Sequence, residues 1–251
     1  MNHNLLILGG TTEASRLAGA VATAGIPAML SYAGRTAHPR AQPIAHRSGG
    51  FGGIAGLKAY LVQHGITHVV DATHPFAAQM SRHALAACRA ANVPLIALTR
   101  PPWHPQPGDT WQTVADVADA VRALDGPATR VFLAIGRQNL ADFAAQPQHH
   151  YLSRLVDPPA EPPPLPHHTV VVARGPFTPA GDTELMRAHA ITTLVAKNAG
   201  GDGASAKLEA ARSLAIPVIM IARPELPARR EVHAVDAVLH WLAHDATDLG
   251  V

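Results

Sequence analysis

Residues 85–101 read LAACRAANVPLIALTRP, and residues 208–224 read LEAARSLAIPVIMIARP. The two stretches align without a gap, and leucine, alanine, arginine, proline and isoleucine recur at matching places. Each stretch predicts a helix, a buried strand that begins at proline, and an Arg-Pro exit. Any αβ unit shares this outline, but each copy here ends one half of the chain. The repetition therefore predicts two similar α/β domains in tandem.

Apolar runs alternate with alanine-rich stretches on both sides of this repeat. Strands separated by helices of such lengths indicate right-handed crossovers and parallel sheets. The expected fold is α/β, with two tandem Rossmann-like domains at residues 1–105 and 106–251, whose parallel sheets face an interdomain cleft. Because the terminal strands are so alike, exchange of a strand between the two sheets stays open. We predict strands at residues 4–8, 27–31, 68–71, 94–98, 130–135, 169–173, 192–196 and 217–221, and helices at 12–24, 53–64, 76–91, 114–124, 183–189, 205–214 and 235–244.

The composition indicates a globular protein, since hydrophobic residues make up 47% and charged residues 15% of the 251 residues. Lysine and arginine do not cluster and aromatic residues total 4%, so we expect no nucleic-acid partner. No apolar run approaches the length of a membrane span, and residues 1–8 lead into a first strand rather than a signal peptide. A single cysteine excludes an internal disulfide, so we expect a cytoplasmic protein. The histidine pairs His149-His150 and His167-His168 lack metal-ligand spacing, so we expect no metal site.

The first strand ends in a glycine-rich loop that opens a helix. Backbone amides and the helix dipole at such a turn favour a diphosphate, and glycines let it approach closely. Thr11 and Thr12 add hydroxyl donors or cap the helix. The loop departs from the Gly-x-Gly-x-x-Gly pattern, so its position carries the prediction. The candidate cofactor-binding residues here are Gly9, Gly10, Thr11, Thr12 and Glu13.

The second strand ends near Ser31 without the acidic residue that NAD-preferring domains place there. Ser31 and Arg35 suit a 2′-phosphate instead, so NADPH is the expected cofactor; an ordinary solvated arginine is the alternative. Gly34, next to Arg35, is a further candidate cofactor-binding residue. Gly49 and Gly50 follow in a run too glycine-rich for a regular element. That run fits either flexible backbone beside a cofactor or a plain loop.

Polar residues also follow two later strands. Thr73 and His74 stand where ribose or nicotinamide lies in such folds, although a lone histidine is more often structural. Lys197 ends the matching strand of the second half, where it binds a carboxylate, donates a proton, or is a surface lysine. Arg137 is a weaker candidate for binding an anion.

These loops, taken in order, resemble the precorrin-6A reductase family of cobalamin biosynthesis. The resemblance rests on residues 7–14, 31–35, 71–77, 99–103, 174–178 and 197–201, and it spans essentially the whole chain. One departure is Asn198-Ala199, where an acidic or hydroxyl residue followed by serine is expected. This departure removes any hydroxyl role from that loop but leaves the lysine in place.

The resemblance implies an NADPH-dependent oxidoreductase of corrin metabolism. Hydride would pass to carbon 19 of precorrin-6A and a proton to carbon 18, giving precorrin-6B, with Lys197, His74, Tyr32 or water as the proton donor. The alternative is the cobalt-containing substrate of the anaerobic pathway, in which enzymes of this family tend to use NADH. Because Arg35 favours NADPH, it also favours the cobalt-free substrate. The carboxylates of this anionic tetrapyrrole fit a cleft that holds Arg137, Arg174, Lys197 and His74. The full set of candidate substrate-binding residues is Arg137, Arg174, Gly175, Phe177, Thr178, Lys197 and Asn198.

Two other classes of protein compete with this interpretation. An NADP-dependent oxidoreductase for a smaller substrate predicts Tyr-x-x-x-Lys, but Tyr32, Tyr60 and Tyr151 have no lysine four residues on. A non-catalytic NADP-sensing protein needs neither the second set of loops nor Lys197. The sequence leaves open whether the chain is a monomer or a dimer.

Overall fold

The computed structural model describes residues 3–34 and 41–244. The chain forms two compact units, one of Met1–Arg100 with Glu225–Val251 and the other of Pro101–Pro224. None of the helices in the described ranges combines the length and apolar character that crossing a bilayer requires.

The first unit is a six-stranded parallel sheet in the order β12-β5-β4-β1-β2-β3. Helices α1 and α7 share a core with one face of it, whereas α2 and α3 pack with the other. Because both faces are covered, the central strand β1 is apolar and buried along its whole length. Its elements are β1 (Leu5–Leu8), α1 (Thr12–Thr23), β2 (Ala28–Tyr32), β3 (Ala45–Ser48), α2 (Gly53–Gln63), β4 (His68–Asp71), α3 (Ala78–Ala91), β5 (Leu95–Leu98), β12 (Glu231–Val232) and α7 (Val235–His244).

The second unit repeats this plan with the order β6-β11-β10-β7-β8-β9, again all parallel. Two short 3₁₀ helices stand in place of an α-helix between β7 and β8, and a third precedes α6 after β10. Its elements are β6 (Trp111–Val114), α4 (Val117–Arg122), β7 (Arg130–Ala134), β8 (His150–Leu155), β9 (His168–Val172), α5 (Pro179–Ala188), β10 (Thr193–Lys197), α6 (Ala206–Ser213) and β11 (Val218–Ile221). Two parallel six-stranded sheets confirm the predicted tandem Rossmann-like folds.

The two halves of the chain exchange their last βα units. β6 follows β5 in sequence but pairs with β11, whereas β12 follows β11 and pairs with β5. The repeated strands β5 and β11 stay in their own sheets, so the exchanged strands are the short ones that come after each repeat. The predicted division at residues 105 and 106 therefore differs from the structure, which returns the chain after Pro224 to the first unit.

Burial explains this return. Val238, Trp241 and Leu242 of α7 are at most 4% exposed and complete the core that α1 begins. Residues assigned by sequence to the second domain are thus part of the first hydrophobic core.

Four strands lack a strand signal in the sequence. β3 and β12 are short and half-exposed, and β8 follows a stretch of glutamine and histidine. The sequence around β6 predicted a helix that begins at residue 114. In the structure Val114 is the last residue of β6, and α4 begins at Val117. The repeated segments agree down to the backbone, since Asn92 and Ala215 occupy matching places and both have φ of 53°.

Candidate functional site

The carboxyl ends of four strands of the first unit meet at one edge of its sheet. The amide of Gly9 donates to the Ser31 carbonyl at 2.9 Å, which joins the loop after β1 to β2. The Thr11 hydroxyl donates to the Ala72 carbonyl at 2.8 Å, which joins the same loop to the end of β4. The amide of Gly49 donates to the Tyr32 carbonyl at 2.9 Å, which joins β3 to β2. The structure therefore brings the predicted cofactor loops together.

The glycine loop leads into a capped helix N-terminus. Thr11 caps α1 by accepting a hydrogen bond of 3.1 Å from the Ala14 amide, and Thr12 is the exposed first residue of the helix. Gly10 has φ of +116°, a conformation that favours glycine. A Cβ on Gly9 would lie 2.6 Å from Cδ1 of Leu30, so the loop lies tightly against β2. The loop thus leaves the first amides of a twelve-residue helix available to a phosphate.

Glu13 faces a partner inside the protein rather than the loop opening. Its Oε2 lies 3.6 Å from Nε of Arg100, and both side chains are 15% exposed. Arg100 is the arginine of the Arg-Pro exit in the first copy of the repeated segment. Glu13 thus ties the exit of β5 to the start of α1, and this contact favours a structural role over direct cofactor binding.

Ser31 is 5% exposed and carries a partner that the sequence did not single out. Nη1 of Arg47 donates to the Ser31 hydroxyl at 2.8 Å. Gly34 has φ of +73°, and a Cβ on it would approach the backbone of Gly49 to 3.5 Å. Arg35 lies outside the described residues. The cation that the structure shows beside Ser31 is therefore Arg47. The signal in the sequence was its place just before Gly49-Gly50, a run that fitted either backbone beside a cofactor or a plain loop.

Tyr32 is half-buried and packs against the hydrophobic core shared by α1 and α7. The centre of its ring lies 6.0 Å from that of the His46 ring. Burial raises the pKa of the Tyr32 phenol, and a hydrogen bond with Gln42 opposes that rise. The phenol therefore keeps its proton at neutral pH.

Asp71 organises the end of β4. The residue is 3% exposed, and both oxygens of its carboxylate accept hydrogen bonds. Oδ1 accepts from the amide and hydroxyl of Thr73 at 3.1 and 2.7 Å. Oδ2 accepts from the hydroxyl of Ser81 at 2.6 Å and from Nη1 of Arg229 at 2.7 Å. The Thr73 hydroxyl therefore stabilises the loop that follows β4.

His74 stands half-buried just beyond Thr73. Its Nδ1 accepts a hydrogen bond of 3.2 Å from the amide of Phe76. An accepting Nδ1 is unprotonated, so the neutral ring carries its proton on Nε2. That tautomer gives the carboxyl edge of the first sheet a neutral imidazole donor.

In the second unit, Lys197 ends β10 and its ammonium donates to Oδ1 of Asn139 at 2.8 Å. Asn139 lies in the 3₁₀ helix that follows β7 and donates to Asp142 at 3.0 Å. The lysine is half-buried, whereas Arg137 in the same 3₁₀ helix is exposed. The contact orients the ammonium of Lys197 at the end of β10, the strand end at which the sequence placed this lysine.

The loop after Lys197 is built around backbone contacts. The amide group of Asn198 accepts from the Trp103 backbone N–H at 2.8 Å and donates to its carbonyl at 2.9 Å. Arg223 donates to the carbonyls of Asn198 and Ala199 at 3.0 and 3.1 Å. These bonds favour a structural role for Asn198 over the predicted contact with substrate.

The remaining predicted residues follow β9. Arg174 is exposed and lies 3.3 Å from Asp157, and Thr178 caps α5 by accepting from the Gly181 amide at 3.2 Å. Gly175 packs against the ring of Phe177, where a Cβ would come within 3.4 Å. Phe177 in turn stacks on the guanidinium of Arg154 at 3.6 Å.

A cavity of about 160 Å³ opens at this edge of the second sheet, with Gly136, Phe177 and Asp182 among its lining residues. Arg154 and Lys207, which the sequence reasoning missed, also line it. Arg154 is paired with Asp182, both nearly buried, and Lys207 is 6% exposed with its ammonium 4.7 Å from the Trp103 ring. The position of Arg154 became visible only with β8, a strand that carried no apolar run. Among the described residues, no group of three histidine, cysteine or acidic side chains is arranged to hold a metal ion.

Comparison with known proteins identifies one family over nearly the whole chain. Residues 4–243 match the family described as Precorrin-6x reductase CbiJ/CobK. Precorrin-6A reductase from Rhodobacter capsulatus is 60% identical over 248 residues, which are 98% of this chain and 99% of that protein. Cobalt-precorrin-6A reductase from Priestia megaterium is 26% identical over 258 residues, covering 96% and 98%. A solved structure described as CobK precorrin-6A reductase has a TM-score of 0.93 and 60% identity, and 96% of each chain is covered.

Proposed function

Because this chain belongs to the precorrin-6x reductase family, we propose that it catalyses the NADPH-dependent reduction of precorrin-6A to precorrin-6B. Hydride is delivered to carbon 19 and a proton to carbon 18 of the tetrapyrrole. The observation that carries the proposal is the set of strand-end loops in the first unit, tied together by the hydrogen bonds of Gly9, Thr11 and Gly49.

The residues at this edge fit a nicotinamide dinucleotide. The loop Gly9-Gly10-Thr11-Thr12 leads into helix amides that suit a diphosphate, and a Cβ on Gly9 would displace the Leu30 side chain, whose Cδ1 would lie 2.6 Å away. Thr73 and His74 follow the end of β4, the edge of the sheet where ribose and nicotinamide lie in such folds, and His74 is the one whose side chain we assign to the cofactor. The bound cofactor supplies the hydride, while the chain positions the reacting rings and excludes water.

The second unit supplies groups for an anionic tetrapyrrole. The proposed carboxylate-binding side chains are Arg137, Arg174 and Lys197, and the cavity lined by Arg154 and Lys207 lies at the same edge of that sheet. Arginine and lysine at strand ends suit the acetate and propionate groups of such a substrate.

Three side chains are proposed as sources of the proton. Lys197 holds an ammonium oriented by Asn139, His74 holds a proton on Nε2, and Tyr32 carries a phenolic proton, which burial makes harder to release because it raises the pKa of Tyr32. Lys197 is the first choice because its donor is held in place at the edge where the carboxylate-binding residues stand.

The cobalt-free substrate is favoured by the comparisons. The relatives with 60% and 48% identity are named precorrin-6A reductase, whereas the relative with 26% identity is named for the cobalt-containing substrate.

The deciding experiment mixes the purified protein with NADPH and precorrin-6A and follows the near-ultraviolet absorbance of the reduced cofactor. Oxidation that depends on both components is expected, and it should be faster than with NADH or with cobalt-precorrin-6A. NADPH binding without oxidation in the presence of intact precorrin-6A would instead favour a non-catalytic NADP-sensing protein.

A further inference from the structure

Arg47 is a half-buried cation that contacts neutral groups. Its Nη1 donates to the Ser31 hydroxyl at 2.8 Å and to the Gly49 carbonyl at 3.0 Å, and its Nη2 donates to the Gly50 carbonyl at 3.0 Å. Within residues 3–34 and 41–244, no carboxylate lies within ion-pair distance of it. Its charge is therefore not balanced by an acid in the described part of the chain.

We propose that Arg47, oriented by Ser31, binds the 2′-phosphate monoester of the cofactor's adenosine ribose. This inference rests on the proposed function, because it assigns the group that makes the cofactor NADPH rather than NADH. It also moves the phosphate contact from Arg35, which the sequence favoured, to a residue of β3.

The register of the sheet places Arg47 at the required point. Ser31 and Arg47 are direct partners in the parallel pairing of β2 with β3. Ser31 stands at the end of β2, where an acidic residue would bind the ribose hydroxyls of NAD and repel a phosphate. A serine with an arginine beside it reverses that preference.

The orientation of the guanidinium is fixed before any ligand binds. Its central carbon lies 4.1 Å from the centre of the Phe51 ring and 5.3 Å from that of Tyr60, so an aromatic surface supports one face. The three hydrogen bonds to neutral oxygens occupy both donors of Nη1 and one donor of Nη2. Within the described residues, Nε and one hydrogen of Nη2 remain, and these two donors match two oxygens of a phosphate.

The test uses ligands that carry no nicotinamide, so that binding is measured apart from catalysis. Adenosine 2′,5′-bisphosphate, adenosine 5′-monophosphate and inorganic phosphate are titrated into the full-length protein by calorimetry. The variants are Arg47→Ala, Arg47→Lys and Ser31→Ala. Arg89→Ala, an exposed arginine in the last turn of α3, is the control for loss of one positive charge.

Arg47→Ala is expected to weaken binding of the bisphosphate by about 10- to 100-fold and to leave binding of the monophosphate within about twofold. Arg47→Lys keeps the charge but loses the two-donor edge, so it should fall between wild type and Arg47→Ala. If Arg47→Ala does not fold, Ser31→Ala must still reduce the preference for the bisphosphate.

Three results with the variants would overturn the assignment. The first is an equal loss for both nucleotides, and the second is an unchanged preference in Arg47→Ala. The third is a loss of bisphosphate binding in Arg35→Ala and not in Arg47→Ala. In all three cases, a wild-type protein that prefers the bisphosphate to the monophosphate would still support an NADPH-dependent enzyme. A wild-type protein that oxidises NADH as readily as NADPH and shows no such preference would instead defeat the cofactor in the proposed function. Binding of inorganic phosphate as tight as that of the bisphosphate would identify a free-phosphate site and reject the ribose phosphate.

Discussion

Nη1 of Arg229 donates a hydrogen bond of 2.7 Å to Oδ2 of Asp71, across 158 positions of sequence. The arginine side chain is 8% exposed and the carboxylate 2% exposed, so the pair is buried. Asp71 holds the loop of Thr73 after β4, and Arg229 precedes β12, the strand that returns from the far end of the chain. One ion pair therefore links the exchanged strand to the candidate site.

Replacing Arg229 by alanine is expected to lower the free energy of unfolding of the first unit by about 3–5 kcal/mol, because it leaves the Asp71 carboxylate buried without its cation. Arg230→Ala is the matched control, since the side chain of Arg230 is exposed. Trp241 is the sole tryptophan of the first unit, so its fluorescence in a Trp103→Phe, Trp111→Phe background reports urea unfolding of that unit. Equal midpoints for the two arginine variants would contradict the prediction.

Gly200→Ala should destabilise the loop after Lys197. The glycine has φ of +70°, and a Cβ would lie 2.1 Å from the Pro101 carbonyl oxygen and 2.3 Å from Nη2 of Arg223. Backbone strain alone costs about 1–3 kcal/mol, and the collision with a carbonyl adds to it. Gly203→Ala, where nothing lies within 4 Å, provides the comparison in thermal unfolding. A lower melting temperature is expected in the first variant, and similar values in both would refute the strained-loop explanation.

Burial, reinforced by the negative charge of Asp71, raises the pKa of the Cys88 thiol from 9.0 to about 12. Since alkylation requires the thiolate, folded protein at about pH 9 should resist iodoacetamide, and urea-unfolded protein should react readily. Rapid labelling of the folded protein would contradict this burial.

The same shift of the Cys88 pKa makes stability depend on pH. Above about pH 9 the unfolded chain releases the thiol proton and the folded chain retains it, so unfolding becomes more favourable as pH rises towards 12. The contribution reaches about 1.4 kcal/mol for each pH unit in this window. Urea unfolding at several pH values should show a shallower fall in Cys88→Ala than in wild type, and identical slopes would count against the raised pKa.

Lys197→Met should reduce kcat for precorrin-6A reduction by about 10²- to 10⁴-fold if its ammonium donates the proton. Asn139→Ala leaves the ammonium in place but removes the 2.8 Å contact, so it should lower kcat less. Lys58→Met removes an exposed lysine of α2 and serves as the control for charge. A change confined to KM in Lys197→Met would assign the lysine to carboxylate binding, and equal kcat for the two lysine variants would exclude it as the proton donor.

Much of the site could be predicted because strand ends converge in a parallel sheet. Gly9, Thr11, Ser31 and Thr73 follow apolar runs, and the hydrogen bonds among their loops show that they meet. Arg47 was missed because β3 is a half-exposed edge strand without an apolar pattern. Asn198 and Thr73 stood at the expected places, but their side chains are engaged with nearby backbone or carboxylate groups, which a linear pattern does not reveal.

The sequence by itself determined two tandem parallel α/β folds, since periodicity, proline and glycine act through neighbours along the chain. The tertiary structure decided which sheet receives each short terminal strand. β12 has two residues, so its place depends on Arg229 reaching Asp71 and on Trp241 entering the core of α1 rather than on any local preference. The pairing of Arg47 with Ser31 was decided in the same way, because a contact between residues of different strands depends on their register, and register is set by how the whole sheet packs.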